Sequence, residues 1–433
     1  MLSLYGADSG VLDQFVDGQP IEDSERELLW KMLYAARRFR LVEIDRWTEW
    51  NIGIDQLISL PDEFRGKLCH VQGVLEEIAD EQPDADTAQR FELPRYFRCR
   101  ATVGRSKAAV TVYALAVPKA WADGSPTERP RVSFRGFFVK LGGSKENAVF
   151  VAQRIAWHPS GPLGGLGMDA GLLDPIQDNT RTPITSAERE AFYQLLDCVR
   201  RAEMSRFVRL AQENVGRLRA EVQKKDPRPN AIESAVEVAL FNQPERRRGE
   251  LFLIEGTARR TTLVRVADAD ITARMGIDRY YQMEVFTAGS QGNPMIVCLR
   301  ELPEGMPQGD NIYEAVRIPA FFFKKWAYRV PAVDDGVQGK PDHRLQLAPL
   351  LIARSAVWLP PEPNSPTSGL FTGLLILLLL AGVWWAVWRY TRGDRQFRRR
   401  RIAPLFEPEG GKSLDELGIE TRDKPDFEGL GGR

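Results

Sequence analysis

Ile21-Glu-Asp-Ser-Glu-Arg-Glu-Leu-Leu-Trp-Lys-Met-Leu33 returns 163 residues later as Ile184-Thr-Ser-Ala-Glu-Arg-Glu-Ala-Phe-Tyr-Gln-Leu-Leu196. Each stretch places N-cap side chains and early acids ahead of apolar residues at helical spacing. These are Leu28, Leu29, Met32 and Leu33 in the first, and Phe192, Leu195 and Leu196 in the second. That pattern starts an amphipathic helix whose stripe packs on its own module. Five more matches follow in the same order. Pro61-Asp-Glu-Phe-Arg-Gly-Lys-Leu68 pairs with Pro244-Glu-Arg-Arg-Arg-Gly-Glu-Leu251, Arg95-Tyr-Phe with Arg279-Tyr-Tyr, and Val117-Pro118 with Leu302-Pro303. Gly136-Phe-Phe-Val-Lys140 pairs with Ala320-Phe-Phe-Phe-Lys324, and Ala152 to Pro159 with Ala353 to Pro360. Ordered matches of this kind predict an internal duplication.

After each helical part the periodicity changes from 3.6 to 2, with Val, Ile, Phe and Tyr enriched between Gly, Pro and Asp clusters. Strands are predicted near 66–78, 94–103, 107–117, 131–141 and 149–157. In the second copy they fall near 249–265, 279–287, 293–301, 312–325 and 346–358. Gly73 and Gly256 sit inside the long first strand of each copy, where glycine permits a bulge or sharp coiling. A long, glycine-kinked first strand followed by four more resembles an OB-fold, a five-stranded, partly open Greek-key barrel. The resemblance covers about 95 residues per copy; it implies a fold and says little about a ligand.

The predicted class is therefore α+β, a tandem of helical segment plus OB-like barrel with one C-terminal transmembrane helix. The parts are helical segments 1–60 and 184–243, β modules 61–160 and 244–360, and a Gly/Pro/Asp-rich linker 161–183. A Pro-rich spacer 361–368, a membrane helix 369–388 and a basic, then acidic, tail 389–433 follow. Eight acids against four bases from Glu407 onward, without apolar periodicity, read as disorder.

Gly369-Leu370 opens the run GLFTGLLILLLLAGVWWAVW, 20 residues with no charge, enough to cross a hydrocarbon core of ~30 Å. Trp384, Trp385 and Trp388 cluster at its end, where aromatic rings favour the headgroup level. Behind them stand seven arginines (Arg389, Arg392, Arg395, Arg398, Arg399, Arg400 and Arg401) and one aspartate. The preceding flank, Ser355 to Ser368, holds no Lys or Arg. The positive-inside rule places the tail in the cytoplasm and the large N-terminal part outside. The N-terminus MLSLYGADSGVLDQF has no basic start and no apolar core, so export requires a signal peptide upstream of this chain.

Composition excludes several classes. With 59 basic and 59 acidic residues the net charge is zero, so only a local patch can attract a polyanion. Cys69, Cys99, Cys198 and Cys298 lie far apart with no C-x-x-C pair, which argues against a disulfide framework or zinc ribbon. His70, His158 and His343 lack partners at metal spacing and read as structural or solvated. Ala288-Gly-Ser-Gln-Gly292 lacks the first glycine of a nucleophile elbow, and Gly410-Gly-Lys-Ser413 lacks the opening glycine of a phosphate loop. No catalytic set, cofactor site or metal site is expected. Arg95, Arg98 and Arg100, near Tyr96 and Phe97, mark the second and third strands as a binding surface, with the loop at Trp121 beside them. The second copy replaces Arg98 and Arg100 with Gln282 and Glu284. The expected function is that of a membrane-anchored, non-enzymatic envelope protein binding a protein, peptide or glycan, alone or as one subunit of a complex. The alternative is a cytoplasm-facing, membrane-tethered nucleic-acid-binding protein.

Overall fold

The computed structural model describes residues 2–122, 126, 128–143, 147–330, 344–360 and 366–401, with side chains in the terminal helix from 373 to 390. Residues 361–365 of the expected spacer, His343 and the tail at 402–433 lie outside the described residues, while 366–368 of that spacer are the first turn of a helix. So do the side chains of Gly369, Leu370, Arg392, Arg395, Arg398, Arg399, Arg400 and Arg401. The chain divides into two units, Met1–Pro361 and Glu362–Arg433.

In the first unit, β1 (Leu68–Glu81), β2 (Tyr96–Val103), β3 (Ala108–Ala116), β5 (Ala148–Arg154) and β4 (Arg131–Leu141) pair in that order. Pairing of β4 with β1 closes the ring, and β3–β5 is its one parallel contact. This is a closed five-stranded barrel consistent with an OB-like fold. A short β6 (Ala156–His158) pairs with the start of β4. Further along, β7 (Leu251–Arg265), β8 (Arg279–Phe286), β9 (Met295–Leu299), β11 (Arg344–Ala353) and β10 (Glu314–Val330) pair in the same pattern. There β9–β11 is parallel, β10–β7 and β10–β11 complete the ring, and β12 (Val357–Leu359) lies on β10. The predicted windows all contain strands. The last window of each half is two strands, because the chain leaves the ring after Arg154 and Ala353 to run along β4 and β10.

Alternation along each strand divides its side chains. Phe134, Phe138 and Phe150 fill the first barrel with Cys99, Val110 and Val112. Phe137, Val139, Val149 and Val151 face outward against Leu29, Met32, Leu33 and Ala36 of the Asp23–Arg38 helix. Strict alternation would turn Lys140 into the barrel beside Phe138. A β-bulge between Phe138 and Lys140 prevents this, and its counterpart lies between Phe322 and Lys324. An extra residue in one strand shifts the pleat, so Val139 and Lys140 both meet the helix.

That shift serves a buried ion pair. Lys140 Nζ donates to Glu25 at 2.7 and 2.9 Å, with side chains 0% and 4% exposed. Lys324 Nζ donates to Glu188 at 2.7 and 2.8 Å, both fully enclosed. The glutamates also accept from the backbone just before their helices: Val16 N to Glu25, Gln177 N to Glu188. The next residue in each segment, Asp17 or Asp178, binds Arg65 or Arg248 at 2.7 Å. The same carboxylates accept from Leu141 N and Lys325 N. The 161–183 stretch, linker-like in composition, thus forms the strap of the second helix–barrel contact. Leu163, Leu166, Met168, Leu173 and Ile176 are buried in that core.

The second unit's described part is one helix, Pro366–Arg401. Its Gly373–Tyr390 window has a mean hydropathy of 1.7 and no buried residue, so it is long and apolar enough to cross a membrane.

Candidate functional site

On the β2–β3 face expected to bind, two of the three arginines are paired with acids, while Arg95 is exposed with no ion pair among the described residues. Arg98 Nε lies 2.6 Å from Glu81 and Arg100 Nη1 lies 3.2 Å from Glu77, both across the β1–β2 ladder. Tyr96 and Phe97 are buried, so neither offers a face for base stacking. The Arg95 guanidinium sits 5.2 Å from the Phe97 ring centre. Trp121 is 3% exposed, packed 5.4 Å from Trp157, and its loop is tied down by Lys119 N donating to Asp174 at 2.7 Å. Trp121 therefore belongs to the core, not to a surface.

A larger opening lies elsewhere, between the first barrel and the helices of the second half. A cleft of about 1660 Å³ is bounded by the first barrel, the glycine-rich Gly161–Gly167 turn and the helices of the second half. One wall is the outward face of β1, β4 and β6. Sequence signalled it through the polar–apolar alternation of Arg131-Val-Ser-Phe-Arg135, which turns Val132 and Phe134 inward and the other three outward. Register then assembles the wall. His70 stands opposite Arg135, Gln72 opposite Ser133, and Arg131 opposite His158. The His70 ring lies 4.8 Å from the exposed Trp50 ring, tilted by 43°, and burial, with His158 nearby, pushes its imidazole below the ordinary value.

Ion pairs hold the cleft's far end. Arg274, from the Ala269–Met275 helix, donates to Glu190 at 2.6 Å, to Asp270 at 3.0 Å and across to Asp45 at 3.3 Å. Burial works against its charge, yet Glu190 and Asp270 hold the guanidinium above its ordinary value. Asp45 also pairs with Arg135. Arg154 pairs with Asp169 at 2.7 Å, and burial raises that carboxyl. Arg46, Arg131 and Arg206 line or border the same space with no ion pair among the described residues.

Thus two of the three histidines, read from sequence as structural or solvated, share this wall with Ser133. All four cysteines are buried. Burial pushes Cys69, Cys99 and Cys298 up to about 12 and Cys198 up to about 11, which leaves almost no thiolate at neutral pH. Among the described residues no group of three or more His, Cys, Asp or Glu is placed to hold a metal. No protein-family model and no curated protein matches the chain.

Proposed function

We propose that this chain is a membrane-anchored binding protein whose ligand enters the cleft between two OB-like modules. The modules lie outside the cytoplasmic membrane, and the ligand is a protein, peptide or glycan of the cell envelope. The observation that carries the reading is the cleft wall itself. Arg46, Arg131 and Arg206, without ion pairs among the described residues, share one concave surface with His70, Gln72 and the exposed Trp50. Concave sites with a few convergent polar groups and an aromatic face are where ligands bind. The two halves also share strand order, bulge position and buried Lys–Glu pair. These support descent from one duplicated helix-plus-barrel unit, in which the face that carries Ser133 and Gln72 in the first copy carries an Arg317–Glu255 ion pair in the second. The apolar Gly373–Tyr390 helix supports the anchor, and the arginines behind it support a cytoplasmic tail. The nucleic-acid alternative loses its main support, since Arg98 and Arg100 are neutralised by acids on β1.

Two measurements test this. Peptide and glycan arrays are probed with the full chain in detergent, and Arg131→Glu is expected to weaken any hit at least ~10-fold by reversing charge in the cleft. Protease added to intact spheroplasts is expected to cut the large unit; complete protection would reverse the sidedness.

A further inference from the structure

The polar wall holds one arrangement that ligand binding does not require. Ser133 Oγ lies 2.8 Å from His158 Nε2, and His158 Nδ1 lies 3.0 Å from the Met168 carbonyl oxygen. A carbonyl can only accept, so Nδ1 carries the proton and Nε2 keeps the lone pair that receives the Ser133 hydroxyl. A hydroxyl, an imidazole and a group that orients the imidazole form the chain that activates a serine. Here the orienting group is a main-chain carbonyl fixed in the strap. Ser133 is buried from bulk water at 8% exposure, yet it lines the cleft. Gln72 faces it across the β1–β4 ladder and Arg131 stands two residues along β4. Both are donors, and both line the same space.

The second half shows that the fold does not demand this pair. Arg317 and Leu359 occupy the positions with the same ladder pairing as Ser133 and His158. Packing β12 on β10 is achieved there without a serine or a histidine.

We propose that Ser133 is the nucleophile, and His158 the base, of an acyl-transfer site that hydrolyses a carboxylic ester carried on an anionic molecule. Ser133 Oγ adds to the ester carbonyl carbon while its proton passes to His158 Nε2. The Gln72 amide and the Arg131 guanidinium, which line the same space as Ser133, are the donors assigned to the developing negative charge. Collapse breaks the ester C–O bond, and the leaving alcohol takes the proton from Nε2. Water, deprotonated by the same nitrogen, then adds to the acyl-serine and releases the carboxylic acid, and the proton returns to Oγ. The sum is ester plus water to acid plus alcohol. The positive charge of Arg46, Arg131 and Arg206 along the cleft favours the anionic carrier.

The test uses the full chain in detergent and a fluorophosphonate probe, with the adduct mapped by peptide mass spectrometry. The expected result is an adduct on Ser133, absent from Ser133→Ala at unchanged thermal midpoint. Its labelling rate falls about 100-fold in His158→Gln. If His158→Gln fails to fold, the presence or absence of the Ser133 adduct in the unaltered chain decides. No adduct on Ser133, an adduct that persists in Ser133→Ala, or an unchanged labelling rate in a folded His158→Gln overturns the proposal. A chain that binds array ligands in the cleft but refuses the probe keeps the binding reading and loses this one.

Discussion

The buried Lys324–Glu188 pair shows how a single residue can hold a module together without adding much net stability. Two ions taken out of water lose hydration that their attraction repays only when every lone pair is used. Glu188 meets that condition through Lys324, Thr185 N and Gln177 N, and Lys324 also donates to Thr180 Oγ1 at 2.6 Å. Burial works against the Glu188 carboxylate, but these donors outweigh it and hold the carboxyl below its ordinary 4.5. A depressed carboxylate stabilises the fold above its unfolded value, and that contribution is lost as pH falls through the folded value. Lys324→Met leaves Glu188 buried and unpaired, with an expected loss of about 3–5 kcal/mol in chemical denaturation. Glu188→Gln in the Lys324→Met background is expected to recover part of it. Thermal melts of the unaltered chain should fall below about pH 4.5, and the double variant should flatten that slope. Equal stability of Lys324→Met and the parent would refute the account.

At the scale of elements, each long first strand depends on a glycine. A Cβ built on Gly73 would lie 2.5 Å from Thr102 O, and one on Gly256 would lie 2.4 Å from Phe286 O. Both oxygens belong to the backbone of the neighbouring strand, so no side-chain rotation relieves the contact. The strand therefore coils tightly enough to pair with β4 or β10 at one end and with β2 or β8 at the other. Gly256→Ala should cost about 1–3 kcal/mol, the usual range for forced overpacking, read as a lower urea midpoint with unchanged slope. An unaltered midpoint would mean that the barrel closes without that approach. The glycine-kinked strand was legible in sequence because a Gly inside a Val/Ile/Leu-rich window weakens the strand unless the backbone must bend or approach a neighbour there. The bulges were not, since Gly-Phe-Phe-Val-Lys140 reads as alternation that ends in an inward lysine. Only the glutamate on a helix 115 residues away in sequence explains why an extra residue is inserted.

For the whole molecule, the two halves meet through charge instead of a continuous apolar seam. Arg274 is 3% exposed and joins Asp45 of the first half to Glu190 and Asp270 of the second. Such an interface leaves open a cleft lined by both polar and apolar groups, and a few convergent polar groups in a concave surface are what a ligand site needs. The terminal helix makes its own demand. Leu374 to Leu380 are each more than half exposed, as are Trp384 and Trp385. Burying such side chains in hydrocarbon contributes about 1.5–3 kcal/mol apiece. The full chain should remain with membranes through alkaline carbonate washing, and a chain ending at Pro361 should be released to the supernatant. Release of the full chain by that wash would remove the anchor from the proposal.

Sequence by itself determined the periodic and local features: two helix starts, the strand windows, the kinking glycines and a charge-free stretch of membrane length. These follow from near neighbours, whose spacing sets which side chains share a face. Tertiary structure alone decided which charges are free. Arg98 and Arg100 look available until β1 brings Glu81 and Glu77 beside them, and Trp121 looks like a loop residue until Trp157 covers it. It also set Ser133 against His158, which are 25 residues apart in sequence and 2.8 Å apart in space. Coulomb and hydrogen-bond energies depend on separation through space, and only strand register and strap packing set those distances.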